Sequence, residues 1–307
     1  MLFGIIGSDG FIANSIGSRL NLINIEVNVF GKRHPQYYRC RRFHQTNLEI
    51  NKFPFEEFVP YDIIFYVAAI GVQAGKTILS KDLYYVNSYF PTILSEFLKE
   101  KGSKCKLITF GSYFEIGNND RDVYFHEKEV VFSDLPVPNN YCLSKRLLSR
   151  YISSLNSSYS NIHFILPTIY GETEQNHRLI PYLVNSIIDK KEIQLTSGEQ
   201  IRQYLYEKDF SEILLDIILN DKVRSGIHNF PEAETLSVRE VAGKVLTFFG
   251  LTDTMINFGA EQRQDISMKV LKLRNTLSHN VVMKKIEDAL PEYVNFYNKS
   301  RMINESK

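Results

Sequence analysis

Residues 1–16 read MLFGIIGSDGFIANSI, and the fold follows from how this stretch breaks. Residues 2–6 are a short apolar run that ends in glycine, and residues 11–20 continue with the apolar spacing of a helix. Strand, glycine turn and helix in that order open a β-α-β unit. The break itself, Gly7-Ser8-Asp9-Gly10-Phe11-Ile12-Ala13, has the form G-x-x-G-x-x-A. Glycines permit the tight turn and let backbone N–H groups approach a pyrophosphate, which also meets the positive end of the helix. Alone the pattern is weak, because glycine turns after strands are common. Its place between a strand and a helix favours dinucleotide binding over a plain turn.

Outward from this stretch the alternation continues. Ile25, Val27 and Val29 alternate with polar residues as a strand would. Residues 62–69, DIIFYVAA, form a continuous apolar run, the pattern of a parallel strand buried on both faces. The spacing then predicts a helix over 84–101, a strand over 106–110, a helix over 141–153 and a strand over 162–166. Together these predict an α/β chain built on a Rossmann-type, doubly wound parallel sheet. After Gly171 the pattern loosens into a helix over 179–188, a strand and turn over 190–198, and helices over 210–219 and 237–249. The expectation is a nucleotide-binding domain over 1–170, with a returning segment near 203–230. Residues 171–307 would form mainly a smaller α/β substrate-binding lobe, with a cleft between the two.

Composition narrows the class. A formal charge of +1 on 307 residues gives no reason to expect nucleic acid or an anionic membrane surface as the main partner. The longest apolar run, 63–72, is too short to span a bilayer. Cys40, Cys105 and Cys142 are scattered and odd in number, which fits a reducing compartment better than a disulfide framework. The glycine motif begins within the first ten residues, so no signal peptide is expected and the cytoplasm is the expected compartment.

At the end of the second strand stand Gly31, Lys32 and Arg33. A cofactor with a free ribose 2′-OH usually meets an acid here, whereas a 2′-phosphate is matched by cations. The pair Lys32 and Arg33 therefore favours NADPH over NADH, with NAD still possible.

The chemistry-bearing residues are Ser112, in ITFGSYFEIG, and Tyr141 and Lys145, in PVPNNYCLSK. A phenol with a pKa near ~10 is a poor acid–base group at neutral pH. A neighbouring ammonium and a nicotinamide's positive charge would pull it toward the working range. Lys four residues after Tyr on a helix shares its face, and Ser112 would hydrogen-bond a substrate oxygen. The spacing Y-x-x-x-K is cheap, occurring also at Tyr124/Lys128 and Tyr204/Lys208. Only Tyr141 opens a helical segment downstream of a serine-bearing strand end.

These residues, with others, resemble the extended short-chain dehydrogenase/reductase family of nucleotide-sugar epimerases, dehydratases and 4-ketosugar reductases. The likeness runs from Gly4 to about Lys285. It includes Asn47-Leu48, at the place of an Asp-hydrophobic pair near the adenine, Ala68-Ala69 at the end of the fourth strand, and Asn87 in YYVNSYFPT. It also includes Tyr170-Gly171 and the segment GEQIRQYLYEKDF. The resemblance implies that Gly7, Asp9, Gly10, Phe11, Ile12, Lys32, Arg33, Asn47, Leu48, Ala68, Ala69, Asn87, Tyr141 and Lys145 contact the cofactor. It implies further that Arg202 and Arg263 face the diphosphate of a nucleotide sugar, with Tyr170 among the substrate contacts. Guanidinium groups suit that role, since they bind phosphate oxygens in bidentate fashion.

Within the family, IQLTSGEQIRQYLYEKD, INFGAEQRQDISM and Pro91 look most like the CDP-sugar 4-keto reductases, the CDP-paratose and CDP-abequose synthases. Ala13 replaces a usual Gly, Asn47 a usual Asp, and FILPTIYG lacks a basic residue often found there. Dehydratases of the family carry an Asp-Glu pair directly after the catalytic hydroxyl, where this chain has Tyr113 and Phe114. Double epimerase-reductases carry a Cys soon after the Ser, and none is present. Two reactions remain: reduction of a 4-keto-6-deoxy sugar by exchangeable NADPH, or 4-epimerisation on a retained NAD. A non-catalytic NAD(P)-binding sensor or scaffold is the remaining class, against which the intact trio speaks. No metal is expected. A homodimer through the 84–101 and 141–153 helices is expected from the family.

Overall fold

The computed structural model describes residues 1–71, 78–155, 160–231, 233–252, 256–259 and 268–305. The first strands are β1 (Phe3–Ile6), β2 (Val27–Gly31), β3 (Arg42–Gln45), β4 (Ile63–Tyr66), β5 (Lys106–Ser112) and β6 (Asn161–Leu166). Shorter strands follow: β7 (Thr168–Tyr170), β8 (Ile193–Leu195), β9 (Ile201–Tyr206), β10 (Gly226–Asn229), β11 (Glu234–Ser237) and β12 (Ile256–Phe258). Seven of them make one sheet in the order β10-β6-β5-β4-β1-β2-β3, and every pairing in it is parallel. The Rossmann-type α/β reading therefore stands. The order reverses beside β1, so the crevice of a doubly wound sheet opens where β1 and β4 end.

The apolar runs explain this sheet. All four positions of β1, β4's IIFY and all of β6 are buried, and side chains alternate between two cores. Phe3 and Ile5 join Ala13, Ile16 and Leu20 of α1 (Phe11–Leu22) and Phe210, Ile213 and Ile217 of α7 (Glu207–Leu219). Ile6, Ile64 and Tyr66 join Phe53, Phe58, Phe90 and Leu94 on the opposite face. Each such burial contributes roughly 1.5–3 kcal/mol.

The helical stretch begins earlier than its periodicity suggests and is not uniform. It runs as α2 (Ser80–Tyr84), a π turn over Tyr85–Tyr89, and α3 (Phe90–Glu100). Pro91 cannot donate to the carbonyl of Asn87, and the wide turn accommodates the missing bond. After a short α4 (Glu127–Val131) comes α5 (Asn140–Ser154), started by Asn139, whose Oδ1 accepts from the Cys142 N–H at 3.1 Å.

A further core joins α6 (Leu179–Ile188), α8 (Val238–Phe248) and α9 (Ile286–Glu305) through Leu183, Val184, Val241, Val245, Leu290 and Tyr293. Beside it lie the sheets β11-β9-β7 and β12-β8. Among the described residues no helix is long and apolar enough to cross a membrane.

Candidate active site

The nucleotide cradle is built by backbone. Gly7 has φ +105°, and a Cβ on it would stand 2.5 Å from the Ala68 nitrogen, so glycine is required on both counts. Gly10 precedes α1 in extended conformation with no side-chain cap, and no acid lies in the first turn. A Cβ on Gly10 would meet nothing within 4 Å. The first N–H groups of α1 thus carry no side-chain cap, an arrangement that suits a phosphate. Ser8 Oγ and Asn14 Oδ1 are buried with no protein partner. Phe11 and Ile12 pack their side chains on the first core. This cradle fits a dinucleotide.

Around it, Lys32 and Arg33 are exposed just past β2. Arg33 pairs with Asp9 at 2.5 Å across the loop, an exposed ion pair that adds little stability. Asn47 is exposed, while Leu48 is buried with φ +60°, an unusual conformation for leucine. Tyr85 holds it there, donating its hydroxyl proton to the Leu48 carbonyl at 2.7 Å. The Ala68 N–H bonds the Ile6 carbonyl at 2.9 Å, and Ala69 is exposed. Asn87 is buried and fully committed. Its Oδ1 accepts the Ile70 N–H, and its Nδ2 donates to the Ile70 carbonyl and to Ser144 Oγ. It braces the loop after β4 against α5.

Ser112 ends β5, and Tyr141 and Lys145 lie on α5, so packing α5 beside β5 brings the three together. The Ser112 hydroxyl comes close enough to the Tyr141 phenol to draw its pKa down. Lys145 Nζ donates to the Phe110 carbonyl at 2.9 Å. The other two tyrosine–lysine spacings dissolve in the fold: Tyr124 precedes α4, and Tyr204 and Lys208 fall on β9 and α7.

Within the protein alone, the Tyr141 phenol stands above its ordinary value. Burial pushes the phenol up to about 12, reinforced by Cys142 and Glu115 and opposed by Arg178 and the Ser112 hydroxyl. Lys145 is turned to the Phe110 carbonyl, so desolvation decides. Burial likewise lowers Lys145, against the pull of Glu115. It raises the Cys142 thiol to about 12, which makes an unreactive thiol.

The residues assigned to the substrate fare differently. Arg202 donates to the carbonyls of Ile201 at 2.7 Å, Met268 at 2.7 Å and Lys269 at 3.2 Å, with its guanidinium 5.8 Å from the Phe114 ring. It thereby clamps the segment at 268–269. Tyr170 is 1% exposed, packed between Tyr206 and Tyr293. It is a core residue that presents no surface to a ligand. Arg263 lies outside the described residues. Two groups escaped the residue-by-residue reading: Arg178, whose charge reaches Tyr141 and which pairs with Glu174 at 3.4 Å, and Glu115, buried below Ser112. The sequence signal for Glu115 was Ser112-x-x-Glu115, a capping box that the structure completes.

Known proteins resemble this chain. The NAD dependent epimerase/dehydratase family pattern matches residues 4–229. CDP-abequose synthase of Salmonella typhimurium is 26% identical over 108 residues, 33% of this chain and 34% of that protein. The match thus spans about a third of the length of this curated relative. The structure of dTDP-glucose 4,6-dehydratase from Bacillus anthracis str. Ames, in complex with NAD, aligns over 97% of each chain, with TM-score 0.75 and 19% identity. UDP-glucose 4-epimerase from Thermotoga maritima, with UDP-glucose, aligns over 98% of this chain and 99% of that one, with TM-score 0.78 and 16% identity. At such identities the likeness is one of fold.

Proposed function

The chain belongs to the NAD dependent epimerase/dehydratase family, and on that premise we propose that it uses NADPH to reduce the 4-keto group of a nucleotide-linked 4-keto-6-deoxy sugar. The observation that carries this reading is the setting of the two residues directly after Ser112. Tyr113 is 1% exposed with its hydroxyl 2.5 Å from Thr168 Oγ1, and Phe114 lies under Arg202. Neither can serve as the acid–base pair that elimination of water requires. The exposed cations Lys32 and Arg33 support a 2′-phosphate, hence an exchangeable cofactor. The partial likeness to CDP-abequose synthase points the same way.

The backbone of Gly7, Asp9, Gly10, Phe11 and Ile12 would hold the pyrophosphate, with Lys32 and Arg33 at the ribose phosphate. Asn47, Leu48, Ala68 and Ala69 would line the adenine side, and Asn87 would brace that wall. A bound nicotinamide would supply the hydride for the carbonyl carbon. Ser112 donates a hydrogen bond to the ketone oxygen and so orients it. Tyr141 gives that oxygen its phenolic proton, completing the alcohol. Lys145 carries the positive charge that makes the resulting phenolate tolerable in a buried site. Arg202 and Arg263 are assigned to the diphosphate, which for Arg202 requires its guanidinium to let go of the Met268 and Lys269 carbonyls.

One observation favours the second reading, 4-epimerisation on retained NAD: the Asp9 carboxylate neutralises Arg33. Incubation with NADPH or NADH and CDP- or dTDP-4-keto-6-deoxyglucose separates the two, read by the absorbance of the reduced nicotinamide. Stoichiometric loss of NADPH with one nucleotide supports the reductase. A CDP- or dTDP-hexose that carries a 4-hydroxyl, offered in parallel and converted to its C4 epimer with no net change in nicotinamide absorbance, would establish the epimerase instead. The same reading includes a homodimer through the 84–101 and 141–153 helices, which expose Tyr89 and Leu147; sedimentation equilibrium at twice the chain mass checks it.

A further inference from the structure

Beneath the reacting residues runs a closed polar chain that the proton transfer above does not use. Glu115, Ser149, His163 and Thr109 are each 0% exposed. Glu115 Oε1 accepts the Ser112 N–H at 2.7 Å, and Oε2 accepts the Ser149 hydroxyl at 2.5 Å. Ser149 Oγ is 2.9 Å from His163 Nε2, and His163 Nδ1 is 2.7 Å from Thr109 Oγ1. The chain thus links β5, α5 and β6. It also explains Gly111, since a Cβ there would stand 2.6 Å from both Glu115 Oε1 and His163 Nε2.

The donors run in one direction. With both carboxylate oxygens accepting, the Ser149 proton goes to Glu115. His163 then donates from Nε2 and accepts from Thr109 at Nδ1, a tautomer assigned from the network. Burial depresses the imidazole to about 3, so it stays neutral. The positive charges facing the carboxylate come from α5: Lys145, and Arg146, whose Nε donates to the Glu115 carbonyl at 2.7 Å. Tyr141 and Cys142 on α5 are neutral at ordinary pH, and Arg178 adds a further positive charge near Tyr141. A buried carboxyl is costly unless hydrogen-bonded and opposed by charge. Here burial pushes the Glu115 carboxyl up to about 7, held back by its bonds from Ser149 and Ser112 and by the charges of Lys145 and Arg146, so it is ionised toward the alkaline side of neutral pH.

We propose that Glu115 is a positioning residue of this centre. Its carboxylate fixes the Ser112 main chain and supplies the counter-charge that keeps Lys145 an ammonium, while Ser149, His163 and Thr109 orient it from the far side. The proposal rests on the reading of Ser112, Tyr141 and Lys145 as the reacting trio.

Glu115→Gln keeps the shape and the acceptor for the Ser112 N–H but removes the charge. Lys145 is followed by NMR of protein carrying lysine labelled at Cε, its resonance assigned by loss in Lys145→Arg. Removing a negative neighbour destabilises the ammonium, so the Lys145 midpoint is expected to move to lower pH by about one unit. The alkaline limb of kcat should follow it, with KM for the sugar nucleotide changed less than about twofold. An unmoved midpoint overturns the proposal, including where the melting temperature falls, since that is the mark of a merely structural role. Should Glu115→Gln not fold, Ser149→Ala removes the donor to Oε2 and weakens ionisation of the carboxyl. The midpoint is then expected to fall in the same direction by about half a unit, and no movement overturns the proposal equally. The titration needs no substrate. A protein inert toward every keto sugar would sink the functional reading and leave this measurement intact.

Discussion

The nucleotide cradle and the floor under Lys145 lie two strands apart and treat polar groups in opposite ways. At the cradle, α1 starts without a side-chain cap, and Ser8 Oγ and Asn14 Oδ1 have no protein partner. Under Lys145, the side chains of Glu115, Ser149 and His163 are engaged with one another and with β5. An unsatisfied buried polar group costs about 1–3 kcal/mol, which an arriving ligand can relieve. An engaged network relieves nothing on binding, but it fixes geometry. On the proposed reading, the cradle is suited to receive a ligand and the floor to hold side chains still.

The contrast breaks most visibly at Tyr141, which sits over the floor and away from the cradle. Tyr141→Phe is expected to lower kcat about 10³-fold, with NADPH affinity by fluorescence titration unchanged. A variant keeping a tenth of the activity would remove Tyr141 from the mechanism.

Next comes the floor's response to acid. The folded state holds His163 near 3, against an unfolded value of 6.5. The unfolded chain binds more protons at this site, so its stability contribution is full above about pH 6.5 and is lost as pH falls toward about 3. Urea unfolding should show this site costing roughly 2–3 kcal/mol between about pH 6.5 and 4.5. His163→Gln should flatten that limb; an unchanged slope would mean that the imidazole is not held neutral.

At the cradle, Gly7→Ala combines a left-handed φ with a backbone clash. Calorimetry should show the cofactor Kd rising ~10–100-fold, and wild-type affinity would contradict the close approach of Ala68. The smallest effect is expected from Tyr85→Phe. It frees the Leu48 carbonyl and should weaken cofactor binding by about fivefold, or about 1 kcal/mol, with kcat unaltered. A drop in kcat there would tie the two regions together and blur the comparison.

The cradle was legible because its signal is local. Gly7 to Ala13, an apolar run before them and a helix after them fit within one supersecondary unit. The trio was legible for a related reason, since four residues on a helix set Tyr141 and Lys145 on one face wherever the helix goes. The edge strand β3 was not, because RFHQ is half-exposed and carries no apolar run. The C-terminal helix α9 was missed as well; Pro291 within it reads as a helix breaker, and its apolar residues pack on α6 and α8, which are distant in sequence. The substrate residues were read in part against their setting. Arg202 holds main-chain carbonyls, and Tyr170 fills a core, because strands and segments far away in sequence pack over them.

By itself, then, the sequence determined the parallel α/β sheet, its glycine cradle and the pairing of Tyr141 with Lys145. Each depends on residue spacing that short stretches of backbone impose. Only the tertiary structure decided which of these groups lie dry and beside which charges. Thr109 and His163 meet across 54 residues, and Glu115 meets Ser149 across 34. Desolvation and the attraction between charges depend on everything packed within a few ångströms, and no local pattern carries that information.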